Sequence, residues 1–157
     1  MIDYKQSDKW DRFFLGMAEY VSTASKDPST KVGAVIVDPK NRVVGMGYNG
    51  FPRGVQDTSE RLNDRTWKYP LVVHAEVNAI INAGHRSEGC RIYVTPTLME
   101  PCACPDCAKA LVQAGIVENI YWHNDNIDQT RWKDMQKFSK TLFDEGGVKY
   151  RSVPKVQ

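Results

Sequence analysis

Apolar residues at Trp10, Phe13, Phe14, Met17 and Val21 recur at the three- and four-residue spacing of a helix, with Ser7 or Asp8 placed to cap its first turn. A polar loop containing Asp27-Pro28 leads into Val32-Gly33-Ala34-Val35-Ile36-Val37, an apolar, β-branched run of strand length. Asp38-Pro39-Lys40-Asn41 then turns the chain into a second strand over 42–48, so the pair reads as a hairpin. From 49 to 70 no period holds. Gly50, Pro52 and Gly54, many charges, and the exposed-looking Trp67 and Tyr69 mark a long loop, and loops of that length in compact domains usually cover a site. The pattern next predicts a helix over 73–83 closed by Gly84, a strand over 91–94, a helix from Pro105 to about Gly115, and a strand over 118–122. Trp132, Met135, Phe138 and Leu142 define a further helix that stops at Gly146-Gly147, and Val148 and Tyr150 open a last short strand. Helices alternate with strands after the hairpin. The α/β architecture this implies is a three-layer α/β/α sandwich on a mixed sheet.

Composition narrows the picture. The chain has 157 residues, 41% apolar and 25% charged, which suits one globular domain over 1–157. No stretch approaches the roughly 18 consecutive apolar residues of a spanning helix, and residues 1–10 are too polar for a secretory signal, so the expectation is a cytoplasmic protein with no membrane partner. A formal net charge of +2 without a dense Lys/Arg cluster is too small for the electrostatic footprint of a duplex-binding protein and favours a small anionic ligand, with no nucleic-acid partner expected. Four cysteines in such a chain read as thiols, and three of them crowd into 102–107, which points to metal or redox chemistry.

Cys104 and Cys107 form a Cys-x-x-Cys pair where a helix should begin, with Pro105 suited to the first helical position because its missing N–H would be unpaired there anyway. Residues three apart share a helical face, so both thiolates can close on one ion. Upstream, His74-Ala75-Glu76 opens the preceding helix. His-x-Glu followed by Cys-x-x-Cys is the zinc deaminase signature, weak in either half and strong when combined. His74, Cys104 and Cys107 supply three ligands and leave a fourth position for water, whose pKa zinc lowers to roughly 7. Two helix N-termini offset the negative charge of the thiolates. Glu76 is off the ligand stripe and free to face a substrate ring, so it is the candidate catalytic group. It would take a proton from the water, deliver it to ring N3 of a cytosine, and later protonate the departing amine. Cys102 departs from the motif: the Pro-Cys pair is Pro101-Cys102, but Cys102 and Cys107 are five apart and do not share a helical face, which favours Cys104. Cys90 reads as a small buried apolar residue.

Four blocks carry a resemblance over most of the chain: residues 25–34 (Ser-Lys-Asp-Pro-Ser-Thr-Lys-Val-Gly-Ala), 45–52 (Gly-Met-Gly-Tyr-Asn-Gly-Phe-Pro), 74–80 (His-Ala-Glu-Val-Asn-Ala-Ile) and 104–116. Together they resemble the deoxycytidylate deaminase branch of the cytidine deaminase-like family. That resemblance implies a five-stranded sheet flanked by helices, one catalytic Zn2+ per subunit, dCMP as substrate with dUMP and ammonia as products, and a homohexamer. It implies that Asn49 binds the sugar hydroxyl, that the backbone near Ala34 reads the base, and that Ser25 and Lys26 lie near the phosphate. It also implies control by deoxynucleoside triphosphates such as dCTP and dTTP. Gly50, Phe51 and Arg53 are then the candidate effector contacts, and Mg2+ the ion that would accompany the triphosphate. Residues 49–73 hold no His or Cys for a second zinc, so a single ion is expected.

Other readings stay open on the residues alone. Cys104-Pro105-Asp106-Cys107 at a helix start also resembles a disulfide oxidoreductase motif, which leaves His74 and Glu76 idle. With Cys102 as a fourth ligand the site would be a closed structural zinc. Among deaminases, dCTP competes with dCMP as substrate, and adenosine editors of tRNA share the motif. Tyr121, Trp122 and His123 offer an aromatic face for a pyrimidine or simply end a hydrophobic strand.

Overall fold

The computed structural model describes residues 8–155. Among them run α1 (Lys9–Ser22), β1 (Gly33–Val37), β2 (Val43–Tyr48), α2 (Ser59–Asn63), α3 (Arg65–Leu71), α4 (Ala75–Ala83), a 3-10 turn (Gly84–Ser87), β3 (Arg91–Thr95), α5 (Pro105–Gln113), β4 (Glu118–Trp122), α6 (Lys133–Gly146) and β5 (Lys149–Val153). The strands form one five-stranded sheet in the order β2-β1-β3-β4-β5. β1 is antiparallel to both β2 and β3, while β3, β4 and β5 run parallel. The mixed α/β/α sandwich is as the pattern predicts. No helix among the described residues is long and apolar enough to cross a membrane.

Local chemistry explains the topology. The hairpin closes because the Asp38 carboxylate accepts from the backbone N–H groups of Lys40 and Arg42, both at 2.9 Å, with Asn41 at φ 62°. Parallel strands need a crossover, and α5 and α6 supply the two from β3 to β4 and from β4 to β5. On one face of the sheet α1 buries Phe14, Leu15 and Ala18 against Val35, Val37, Tyr93, Ile120 and Val153. On the other, α4, α5 and α6 pack Ala75, Ala79, Ala108, Leu111 and Phe143 over Ala34, Ile36, Ile92 and Val94. Alternate strand residues point to opposite faces, so the all-buried run of β1 feeds both cores.

The contact between β2 and α4 sets where the site lies. Ala75, Ala79 and Ala83 face the sheet, and beneath them Gly45 and Gly47 carry no side chain. A Cβ on Gly47 would sit 2.5 Å from the Ala79 nitrogen, and one on Gly45 2.6 Å from the Ala79 oxygen. Helix backbone therefore lies directly on strand backbone, and any side chain at either glycine would push α4 away.

Several elements differ from their sequence reading. The buried arc of α1 centres on Asp11, Phe14, Leu15 and Ala18, leaving Trp10 44% and Phe13 55% exposed. The arc is turned because Asp11 accepts from the buried Tyr93 hydroxyl at 2.7 Å, which rotates the helix toward β3. Asp8 stands at the cap position but makes no capping bond and instead pairs with Arg12 at 3.6 Å, while Ser7 lies outside the described residues. In α6 the buried stripe is Gln136, Ser139 and Phe143, with Phe138 exposed. Ser139 donates to the Ala103 carbonyl at 2.7 Å and Gln136 to Glu100 O at 3.3 Å, so polar anchors to the cysteine loop fix that face. The stretch 49–70 holds α2 and most of α3, whose starts are capped by Thr58 and Asp64. Both helices are too short to show a period, and their capping residues were the only readable signal.

Candidate active site

Two loops deliver two helix starts to the same end of the sheet, one after the carboxyl end of β2 and one after that of β3. The first helix start is fixed by a two-bond bridge: Gly50 N–H donates to Val73 O at 3.1 Å, and Val73 N–H donates to Gly50 O at 2.8 Å. The next residue, His74, is the N-cap of α4, at φ −70° and ψ 154°, and its side chain makes no capping bond. Cys104 is the N-cap of α5, at φ −67° and ψ 163°, again without a capping bond, and Pro105 follows in the first turn. N-cap positions normally hold Ser, Thr, Asp or Asn because their oxygens satisfy the free N–H groups of the first turn. Here an imidazole and a thiol occupy both and turn toward each other.

His74 Nδ1 lies 3.2 Å from Cys107 Sγ and 3.4 Å from Cys104 Sγ, and the three donor atoms all fall within 4.8 Å of one another. Zinc bonds of the usual length in a tetrahedron would separate N and S donors by about 3.5 Å. The donor set and its spacing fit that ion. Cys107 is buried, Cys104 half-buried and His74 exposed, so the group opens to solvent on the imidazole side.

The charges respond to each other strongly. A hydrogen bond from the Cys107 thiol is the main reason Cys104 is lowered to about 4, with the imidazole adding to it. The Cys104 thiolate in turn raises His74 to about 9. Cys107 is pushed up by its neighbour Cys104 and by burial. Ligation reverses this order, because a metal takes thiolate and neutral imidazole and releases their protons. Glu76, in the first turn of α4, is 6% exposed. Burial raises its pKa, the Cys104 thiolate adds to the rise, and a cation beside it would act in the opposite sense.

Cys102 stands outside the group. It is buried, its sulfur lies 3.5 Å from Pro96 O, and desolvation pushes its thiol far up. Its backbone N–H is held by Asn119 Oδ1 at 3.1 Å, which ties the cysteine loop to β4. Cys90 is likewise a buried thiol, packed 3.1 Å from Arg86 O.

The family model for the cytidine and deoxycytidylate deaminase zinc-binding region matches residues 8–123. The chain belongs to that deaminase family. This deaminase is 38% identical over 156 residues to a human protein named deoxycytidylate deaminase, an alignment covering 94% of this chain and 82% of the relative. It is 41% identical over 147 residues to an uncharacterized deaminase in the luxG 3' region of Aliivibrio fischeri, covering 93% and 95% of the two chains. Its fold matches the crystal structure of the dCMP deaminase of cyanophage S-TIM5 in complex with dCMP and dUMP, with a TM-score of 0.68 at 22% identity, over 98% of this chain and 100% of that one.

In this deaminase Ala34, the second residue of β1, is fully buried and paired with Gly47 on one side and Val94 on the other. Asn49 is buried and its amide is engaged: Oδ1 accepts from Val32 N–H at 2.8 Å, and Nδ2 donates to Thr30 O at 2.9 Å and to Asp27 Oδ2 at 3.5 Å. Ser25 is buried and donates to Asn49 O at 2.8 Å. Lys26 is exposed and pairs with Asp57 at 3.0 Å. Gly50 forms the bridge that precedes His74, Phe51 is half-buried and Arg53 exposed. Of the strand-end residues, Tyr121 is a core side chain, Trp122 half-buried, and His123 exposed and 2.7 Å from Asp125.

Two residues that the sequence reading passed over organise this wall. The Asp27 carboxylate accepts from Ser29 and Thr30 N–H and pairs with Lys68, whose Nζ lies 3.4 Å away at 13% exposure. The Asp-Pro-Ser-Thr run was a readable Asx turn. Lys68, forty-one positions further on, carried no signal.

Proposed function

We propose that this deaminase hydrolyses dCMP to dUMP with release of ammonia, using one zinc held by His74, Cys104 and Cys107, with Glu76 carrying the protons. The observation that carries this reading is the convergence of one imidazole nitrogen and two sulfurs, from two helix starts whose N-cap side chains make no capping bonds, beside a buried carboxyl group. The choice of a cytosine mononucleotide is supported by relatives named deoxycytidylate deaminase that align over most of the chain. A disulfide oxidoreductase would have no use for an imidazole placed against both sulfurs.

Zinc bound at these residues supplies a Lewis acid that lowers the pKa of a water to roughly 7. The chain's own groups do the rest. Glu76, kept easy to protonate by its burial, takes a proton from the attacking water and passes it to N3 of the cytosine ring, making C4 a better electrophile. It then takes the remaining proton from the hydroxyl added at C4 and gives it to the amine as the C4–N bond breaks and the C4 carbonyl forms, so one carboxylate serves each transfer. The N-termini of α4 and α5 both point their free N–H groups at this region and offset the negative charge of two thiolates. The opening on the His74 side gives the ring a way in. The wall of Ser25, Asp27, Thr30 and Asn49 shapes the side on which sugar and phosphate would lie, with Lys26 at its rim. Supply of dUMP for thymidylate synthesis, and control by dCTP or dTTP through Gly50, Phe51 and Arg53 in a homohexamer, extend the same reading and are supported by the family relationship alone.

An ammonia-release assay across cytidine, dCMP, dCTP and an adenosine-containing RNA tests the substrate. Turnover of dCMP above the others is expected, and turnover of the RNA alone would sink the assignment. For the mechanism, Glu76→Gln should keep zinc and nucleotide binding and lose on the order of 10²-fold or more in kcat. Near-normal turnover in that variant would refute the role of Glu76.

A further inference from the structure

Helix α4 carries His74 and Glu76 at its head, yet it rests on β2 through a surface with nothing to grip. Helices normally lock against their neighbours by seating side-chain ridges in grooves. Here the helix offers Ala75, Ala79 and Ala83, and the strand offers Gly45 and Gly47. Such a contact holds the two backbones close but resists sliding and rolling only weakly.

A row of side chains along one flank of the helix fills that gap. Asn78 Nδ2 donates to Tyr48 O at 2.8 Å, Asn82 Nδ2 donates to Met46 O at 2.7 Å, and Arg86, in the 3-10 turn that follows, donates to Val44 O at 3.4 Å. The donors are spaced by four residues and the acceptors by two, in opposite directions along the chain. Four residues of helix rise about 6 Å and two residues of strand about 6.7 Å, so the two repeats run nearly in step. The two asparagine bonds are short, and drawing either apart by about 1 Å would break it, while the Arg86 bond is already long.

We infer that Asn78 and Asn82 are positioning residues for the deamination: by notching α4 onto the carbonyls of β2 they set how far His74 and Glu76 protrude toward α5. The Gly50–Val73 bridge fixes the strand that leads into the helix, and the asparagines fix the helix behind it. The precision required is high, since His74 must meet Cys104 and Cys107, which belong to a different helix, at 3.2 to 3.4 Å. Catalytic groups need placement within about 0.5 Å of the productive geometry. Both asparagine bonds are solvent-exposed, so their weight in overall stability is small while their weight in helix register is large.

This inference rests on Glu76 and the ligand set acting as proposed above. Its test uses Asn82, two turns from Glu76. Asn82→Asp keeps the size but replaces the donor by a negatively charged acceptor facing the Met46 carbonyl, Asn82→Ala removes the donor without adding charge, and the Asn78→Ala/Asn82→Ala pair extends the series. On the zinc-loaded enzyme the measurements are kcat and KM for dCMP, the thermal midpoint, and the rate at which zinc passes to a chelator. A fall in kcat of about 10-fold for Asn82→Asp and about 100-fold for the double variant is expected, with KM and midpoint little changed and zinc released faster. A lower midpoint with wild-type kcat and zinc release would show a purely structural role and overturn the inference, as would wild-type kcat in Asn82→Asp. The chelator measurement needs no substrate. If the wild-type enzyme turned over no cytosine nucleotide, the substrate reading alone would fall, and faster zinc release in Asn82→Asp would still support the notching of α4.

Discussion

Two polar clusters sit on opposite faces of the sheet and treat charge in opposite ways. Under α1, the Tyr93 hydroxyl donates to Asp11 at 2.7 Å, Arg151 holds the other Asp11 oxygen at 2.8 Å and Glu118 at 3.1 Å, and Arg91 donates to Tyr93 Oη at 2.6 Å. Donors and acceptors alternate, and the cluster closes on itself. At the heads of α4 and α5, an imidazole nitrogen and two sulfurs converge within 4.8 Å of one another, beside a buried carboxyl group. A buried polar cluster that closes is a structural device. One whose donor atoms converge on a single point is shaped to receive a cation, and that difference sets the two clusters apart.

The comparison is broken most severely by Cys107→Ala. Removing the buried sulfur should leave less than one zinc per ten chains by metal analysis and no measurable ammonia release, on the order of a 10³-fold loss or more. Full zinc content in that variant would mean that the ligand set is wrong. Asp11→Ala probes the closed cluster instead. It strands the Tyr93 hydroxyl and frees Arg151, and should cost about 2 kcal/mol in denaturant unfolding with kcat for dCMP unchanged. A loss of kcat without a loss of stability would erase the distinction between the two faces.

Lys68→Met tests a pair between these extremes. Lys68 and Asp27 are nearly buried and join α3 to the loop that Asn49 pins, so the change should cost about 1 kcal/mol and raise KM for dCMP more than it lowers kcat. Wild-type KM would show that the loop keeps its shape without the pair. The smallest effect belongs to Lys26→Ala. Its exposed pair with Asp57 should contribute nothing to the thermal midpoint, and only KM for dCMP should rise, with KM for cytidine unchanged. Equal KM changes for both substrates would remove Lys26 from the phosphate side.

What could be read in the sequence was local. The β-branched run before Asp38, the Cys-Pro-x-Cys start of α5 and the His-x-Glu start of α4 each specify structure within a few residues, and all three lie where the sequence placed them. The orientation of α1 was not legible, because it depends on Tyr93, eighty-two positions away, accepting Asp11 as its partner. The face of α6 was hidden for the same reason, set by the carbonyls of Glu100 and Ala103. Gly45 and Gly47 looked like family markers, and only the structure gives their cause, a helix laid on bare backbone. Asn49 was assigned to a ligand from the resemblance, and its amide is first of all a brace between Thr30, Val32 and Asp27.

The asparagine row on α4 has an effect beyond the site. β2 is an outer strand, and an outer strand offers its free backbone groups to any other extended chain, the usual start of sheet-to-sheet aggregation. An incoming strand needs acceptors and donors in alternation. Along β2 the carbonyls of Val44, Met46 and Tyr48 each already accept a bond from this row, so a strand added at that margin would have to share or displace it.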